Sequence, residues 1–162
     1  MVNFEKSGTV KLMPINIPKL FLSIGLCIGA GILGSFFTVS SISTWYFTLN
    51  KPFFSPPNWI FAPVWTILYI LMGISLYLVW QRKSVHSVFW VQLTSNVAWS
   101  IIFFGMKNPT FALVDIVALW VSILLTIKYF YIVSKLAAYL LIPYFLWVSF
   151  ASILNLMIVL LN

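Results

Sequence analysis

A chain of 162 residues that is 62% hydrophobic and 7% charged lies far from soluble domains, in which about a quarter of residues carry charge. Glu5 and Asp115 are its only acidic residues, which leaves an enzyme built on paired carboxylates, or a carboxylate metal site, almost nothing to work with. The formal net charge of +7 comes from basic residues standing singly at the ends of apolar runs. That is the pattern of topology signals, so nucleic acid is not an expected partner.

The polar tail Met1–Lys19 is too long for a signal n-region, and no small-residue cleavage site follows it. Residues 20–162 are therefore read as one all-α membrane domain whose first span is retained. Five runs reach the roughly 20 residues needed to cross a bilayer: Leu20–Val39, Trp59–Trp80, Ser87–Gly105, Phe111–Val133 and Leu136–Leu161. In the first, Gly25, Gly29, Ala30 and Gly34 permit close helix approach, with packing inside the bundle favoured over packing between protomers. Cys27 reads as a buried small hydrophobe.

Between the first two runs lies a proline- and aromatic-rich bridge, in which Pro52, Pro56 and Pro57 hold the backbone extended. It reads as a structured lid over an apolar or aromatic ligand. The remaining connectors are short, so neighbouring helices run antiparallel in one bundle. Five crossings place Lys6, Lys11, Lys19, Arg82, Lys83, Lys128 and Lys135 on one face, and Lys51 and Lys107 on the other. In a bacterial or archaeal plasma membrane this charge bias puts the N-terminus in the cytoplasm and the lid outside. An odd span count without internal repeats argues against the paired inverted halves of many transporters.

Trp45, Trp59, Trp80 and Trp90 fall near span ends and read as an interfacial belt. Trp65, Trp99, Trp120 and Trp147 lie deeper, where an indole needs a partner or a cavity. Trp65 and Tyr69 are four residues apart, and Gln92, Asn96 and Trp99 recur at helical spacing, so each set shares a face. Gln92, Asn96, Asp115 and Asn155 are expected to point inward. For Gln92 and Asn96, interhelical hydrogen bonding and ligand contact both remain open. Asp115 reads as a first-turn carboxylate favoured by the helix dipole. Pro143 is expected to bend the last helix ahead of Trp147, with Trp147, Ala151, Leu154 and Asn155 along one face. Two indoles, a phenol and apolar walls suit a flat hydrophobic ring system.

These residues resemble the TspO/MBR family of translocator and tryptophan-rich sensory proteins. The resemblance rests on Trp45-Tyr46-x-x-Leu49-x-Lys51-Pro52, on Pro56-Pro57-x-Trp59-x-Phe61-x-Pro63-Val64-Trp65-Thr66-x-Leu68-Tyr69, and on Gln92-Leu93-x-x-Asn96-x-x-Trp99-Ser100. It continues through Phe103-Phe104-Gly105, Ala112-Leu113-Val114-Asp115 and Pro143-Tyr144-x-x-Trp147-x-x-Phe150-Ala151-x-x-Leu154-Asn155. It implies a five-helix membrane protein, commonly a homodimer, that binds protoporphyrin IX or a haem-like ring as ligand and requires no cofactor. Carried over by position, Trp65, Tyr69, Asn96, Trp99, Trp147, Ala151 and Leu154 would line the pocket, with Tyr46, Leu49 and Pro52 from the lid. Some bacterial members are described as degrading protoporphyrin in light, which would give Trp65 and Trp147 a photochemical role. Animal members bind cholesterol through a Tyr followed by a basic residue near the C-terminus. Here Leu156 stands in place of that Tyr and no Lys or Arg follows Lys135, so sterol binding does not carry over. Looser matches at Leu71, Tyr77 and Arg82, and at Leu125, Tyr129 and Lys135, specify little. The expected function is porphyrin binding for sensing, scavenging or transport. The alternatives are light-dependent porphyrin breakdown, and a carrier or regulator for lipid or another small hydrophobe.

Overall fold

The computed structural model describes the backbone of residues 2–4 and 10–12 and the whole of residues 14–162. In the tail, β1 (Val2–Phe4) pairs antiparallel with β2 (Val10–Leu12). Every element after them is helical. Five segments are long and apolar enough to cross a membrane: Ile17–Ile42, Asn58–Trp80, Ser87–Gly105, Pro109–Val133 and Lys135–Leu161.

The first, α1 (Ile17–Ile42), extends past both predicted ends, Leu20 and Val39. At its start, Asn16 Oδ1 accepts the Lys19 N–H at 3.0 Å and Pro18 suits the first turn. At its end the Ser41 hydroxyl donates to the Phe104 carbonyl at 2.9 Å, a tertiary bond that ties the last turns to the π-helical segment after α4. The bridge holds a single turn, α2 (Trp45–Thr48), and a 3-10 turn (Asn58–Ile60) that leads into α3 (Phe61–Trp80).

Next comes α4 (Ser87–Ser100), which runs into a π-helical turn (Ile101–Gly105). In α5 (Pro109–Val133) the start moves two residues ahead of the predicted Phe111, because Asn108 caps the Phe111 N–H at 3.0 Å and Pro109 fills the first helical position. That start places Asp115 in the second turn, beyond the first-turn dipole position expected for it. The last span breaks at Leu141 into α6 (Lys135–Leu140) and α7 (Ile142–Leu161), with Pro143 in the first turn of α7. The expected bend is thus a full interruption, since Pro143 can donate no hydrogen bond back into α6.

Around the bundle, α1 packs between α3 and α4, α4 against α5, and α5 against α7, while α6 closes the ring against α3. Tyr144, Phe89, Phe130, Met72 and Leu76 are buried at the centre, where the Phe89 and Phe130 rings stack with centroids 5.6 Å apart. α1 and α3 touch backbone to backbone at Gly73, where an added Cβ would lie 2.5 Å from Ile24 Cα. The glycines of α1 divide: Gly34 meets Ser100, but Gly25 and Gly29 have nothing within 4 Å. The favoured intramolecular role for those two is therefore corrected; they face outward, and Ala30 and Gly34 supply the inward face.

At the end away from the lid, the Ser75 hydroxyl donates to the Ala137 carbonyl at 2.7 Å and ties α3 to α6. Toward the lid α3 meets α7 only sparsely. The proline break that ends α6 thereby opens a space between α3 and α7.

Candidate functional site

That space is a cavity of about 530 Å³ beneath the bridge. Four indoles border it: Trp65 of α3, Trp99 of α4 and Trp147 of α7 within the bundle, and Trp59 of the bridge. Trp65 stacks on Tyr69 with centroids 5.6 Å apart, as their four-residue spacing predicts, and Tyr69 also borders the cavity. On α7, Trp147, Ala151, Leu154 and Asn155 line one wall. The Trp99 indole donates to Asn155 Oδ1 at 3.1 Å, and Asn155 Nδ2 donates to the Pro109 carbonyl at 2.9 Å, which fixes that ring. Trp147 differs: its indole N–H is buried and has no partner among the described residues. A buried donor of that kind is costly to leave unmade.

No lining residue is charged. Such a cavity can hold a flat apolar ring by stacking and van der Waals contact, with polar substituents left at its open side. That side lies between the second half of α1 and the start of α3, where Ile32, Val39 and Trp59 are both exposed and lining.

Two sets of hydrogen bonds, at Asn50 and Lys51, hold the lid. Lys51 Nζ donates to the carbonyls of Tyr46 at 2.8 Å, Phe47 at 3.3 Å and Leu49 at 3.1 Å, which caps α2. Asn162 accepts the Asn50 N–H at 3.0 Å and donates to the Asn50 carbonyl at 3.1 Å, which fastens the lid to the end of α7. Tyr46 enters the cavity wall from α2 and packs on Phe104 with centroids 5.8 Å apart. Burial pushes its hydroxyl above the usual phenol range, so it remains a neutral donor across physiological pH. Asn162→Ala is expected to speed amide exchange in residues 46–55 about fivefold, because about 1 kcal/mol of hydrogen bonding is lost, as hydrogen–deuterium exchange would read.

A profile of the TspO/MBR family matches residues 23–161. This chain belongs to the TspO/MBR family. It is 50% identical over 153 residues to the tryptophan-rich protein TspO of Archaeoglobus fulgidus, covering 91% of this chain and 99% of that one. With the tryptophan-rich protein TspO of Chlorobaculum tepidum it shares 50% identity over 153 residues, 90% of this chain and 97% of that one. The human translocator protein is 36% identical over 152 residues, 89% of each chain. With five apolar helices in place, the chain is an integral membrane protein of a family whose named members are translocator and sensory proteins.

Of the residues that the TspO/MBR resemblance pointed to, Tyr46, Trp65, Tyr69, Trp99, Trp147, Ala151 and Leu154 border the cavity. Asn96, Leu49 and Pro52 do not. Asn96 is buried between helices, accepting from the Tyr69 hydroxyl and donating to the Tyr144 hydroxyl at 3.0 Å. Of the two readings left open for it, the interhelical one is realised. Leu49 packs against the cluster beneath the lid, and Pro52 is buried in the bridge. Gln92 is likewise buried, with its amide donating to Met72 Sδ at 3.5 Å. The Trp120 indole donates to Ser149 Oγ at 2.8 Å, which satisfies it without a cavity.

Three contributions escaped the sequence reading. α1 supplies a lining stripe that includes Gly31, Ser35 and Thr38, and small or hydroxyl residues at helical spacing in an apolar run were the signal for it. Trp59, read as belt alone, stands at the mouth. The π-helical turn brings Phe103 onto Trp99, with centroids 5.0 Å apart, and nothing in Ile101-Ile102-Phe103-Phe104 announces that turn.

Proposed function

We propose that this chain is a membrane-embedded binding protein for porphyrins and similar flat hydrophobic rings, acting in their sensing, sequestration or transfer. The observation that carries the proposal is the convergence of Trp65, Trp99 and Trp147 on one uncharged cavity under a tethered lid. Protoporphyrin IX is the natural probe. Its macrocycle is flat and apolar, and its carboxylates can stay at the open side, where they keep their water. Under the same proposal the protein sits in a plasma membrane with its lid outside, and it pairs with a second copy across the outward Gly25 and Gly29 of α1.

Titrating protoporphyrin IX into purified protein is expected to quench tryptophan emission with saturation. The double variant Trp65→Phe with Trp147→Phe should lose most of the quenching and bind about tenfold more weakly, a change of roughly 1.4 kcal/mol. Absence of saturable quenching, or identical curves for the two proteins, would sink the proposal. A second reading, light-dependent breakdown of the bound ring, draws on the same pair of oxidisable indoles. It requires that illumination consume many porphyrins per protein; a single event with tryptophan destroyed leaves binding alone.

A further inference from the structure

At the end of the bundle opposite the lid, a second cavity of about 220 Å³ opens between the α3–α4 connector and the last turns of α5. Phe130 and Val133 give it an apolar floor, and Lys83, Ser84, His86 and Tyr129 ring its mouth. The connector is held rigidly. Arg82 and Lys83 each donate a backbone N–H to the Val79 carbonyl, at 2.9 and 3.0 Å. His86 stacks on Tyr129 with ring centroids 3.9 Å apart and planes 9° from parallel. Its Nδ1 accepts the Val88 N–H at 3.3 Å, which leaves Nε2 to carry the proton and act as donor.

The electrostatics of this cavity favour an anion. The carbonyl of Val133 at the α5 terminus, which would repel one, is neutralised by Arg82 Nη1 at 2.9 Å. α4 starts at Ser87, directly after the lining residue His86, which is its N-cap. Lys83 adds an exposed ammonium. The one described acidic residue, Asp115, lies fourteen residues earlier on α5, about 21 Å away along the helix axis. A lane of exposed apolar side chains leads away from the cavity: Leu125, Tyr129 and Ile132 share one face of α5, 38%, 38% and 72% exposed. A polar seat continuous with an apolar lane at a helix end fits a phospholipid better than a free anion.

We infer that this cavity seats the phosphate of an anionic phospholipid, with Lys83, Ser84 and His86 on the headgroup and an acyl chain along Leu125, Tyr129 and Ile132. The site is separate from the porphyrin cavity and does not depend on it.

The test uses the full chain, delipidated in neutral detergent, with short-chain phosphatidylglycerol as the probe. Retention is read by native mass spectrometry and protection by thermal unfolding. Phosphatidylglycerol should be retained and should raise the melting temperature, whereas phosphatidylcholine and inorganic phosphate at equal concentration should do neither. The double variant Lys83→Gln with His86→Gln should weaken retention at least tenfold. Should that variant fold poorly, Ser84→Asp, which sets a carboxylate at the mouth, must give the same loss. Lys107→Gln at the lid end and Lys128→Gln on α5 should retain the lipid as the parent does. Equal retention in the cavity variants, an equal loss in Lys128→Gln, or saturation by inorganic phosphate or phosphatidylcholine would each overturn the assignment.

Discussion

Replacing Ala151 with Phe is expected to weaken protoporphyrin binding about 100-fold, or roughly 2.7 kcal/mol, while the melting temperature stays within a few degrees of the parent. Ala151 sits one turn beyond Trp147 on the wall of the cavity, and its methyl group borders open volume. The 530 Å³ available falls within the range of about 300–1,000 Å³ usual for ligand pockets, so a macrocycle would fill most of it. A phenyl ring added at that position therefore competes with ligand without displacing core. Ala137 makes the contrast. It is fully buried, and its carbonyl takes the Ser75 hydroxyl that ties α3 to α6. Ala137→Phe has no space to enter and should fail to fold, with or without ligand. Quenching titrations and thermal scans of the two variants separate occupancy of the cavity from integrity of the bundle. If Ala151→Phe binds as the parent does, the ligand lies elsewhere.

What the sequence made legible was set by spacing within single helices. Trp65 with Tyr69, and Trp147 with Ala151, Leu154 and Asn155, share faces because an α-helix repeats every 3.6 residues, and each set lines the cavity as a unit. Five apolar runs and the stiff bridge were equally readable, since length and proline content report on the bilayer and the backbone directly. Which face of which helix meets its neighbours was not readable in the same way. Leu and Ile suit lipid as well as they suit a protein core, so periodicity that marks the inward face in water fades in a membrane. Hence α1 reads as a packing helix although Ser35 and Thr38 border the cavity. Asn96 shows a second limit. Its depth demanded partners, but only the fold could decide between the Tyr69 and Tyr144 hydroxyls and a ligand. The π-helical turn that carries Phe103 shows a third, because a one-residue insertion into helical geometry leaves no trace in an unbroken apolar run.

Gly73→Leu should destabilise the bundle by about 3 kcal/mol, at the upper end of overpacking costs, measured as unfolding in detergent. The reason is the atom it would strike. A Cβ at position 73 lies 2.5 Å from Ile24 Cα and 3.0 Å from Ile24 N, and backbone cannot rotate away as a side-chain tip can. Relief requires α1 to move off α3 along the contact that holds the two together. Gly25→Leu and Gly29→Leu, on α1 itself with nothing within 4 Å, should stay within about 0.5 kcal/mol in detergent that keeps the protein monomeric. Because α1 also forms a wall of the cavity beneath the lid, its displacement would carry over to the proposed binding. Gly31 presses so closely on the Tyr69 ring that a Cβ there would lie 2.3 Å from it, so retreat of α1 frees Tyr69 to leave its stack on Trp65. Gly73→Leu is thus expected to weaken porphyrin binding as well, although position 73 does not line the cavity. Gly73→Ala, which adds the Cβ alone and so pushes α1 away by less, should show both defects in the same order but smaller measure. Stability and binding that fall together from Gly to Ala to Leu at this position would mark helix separation as the cause; binding that holds while stability falls would refute it.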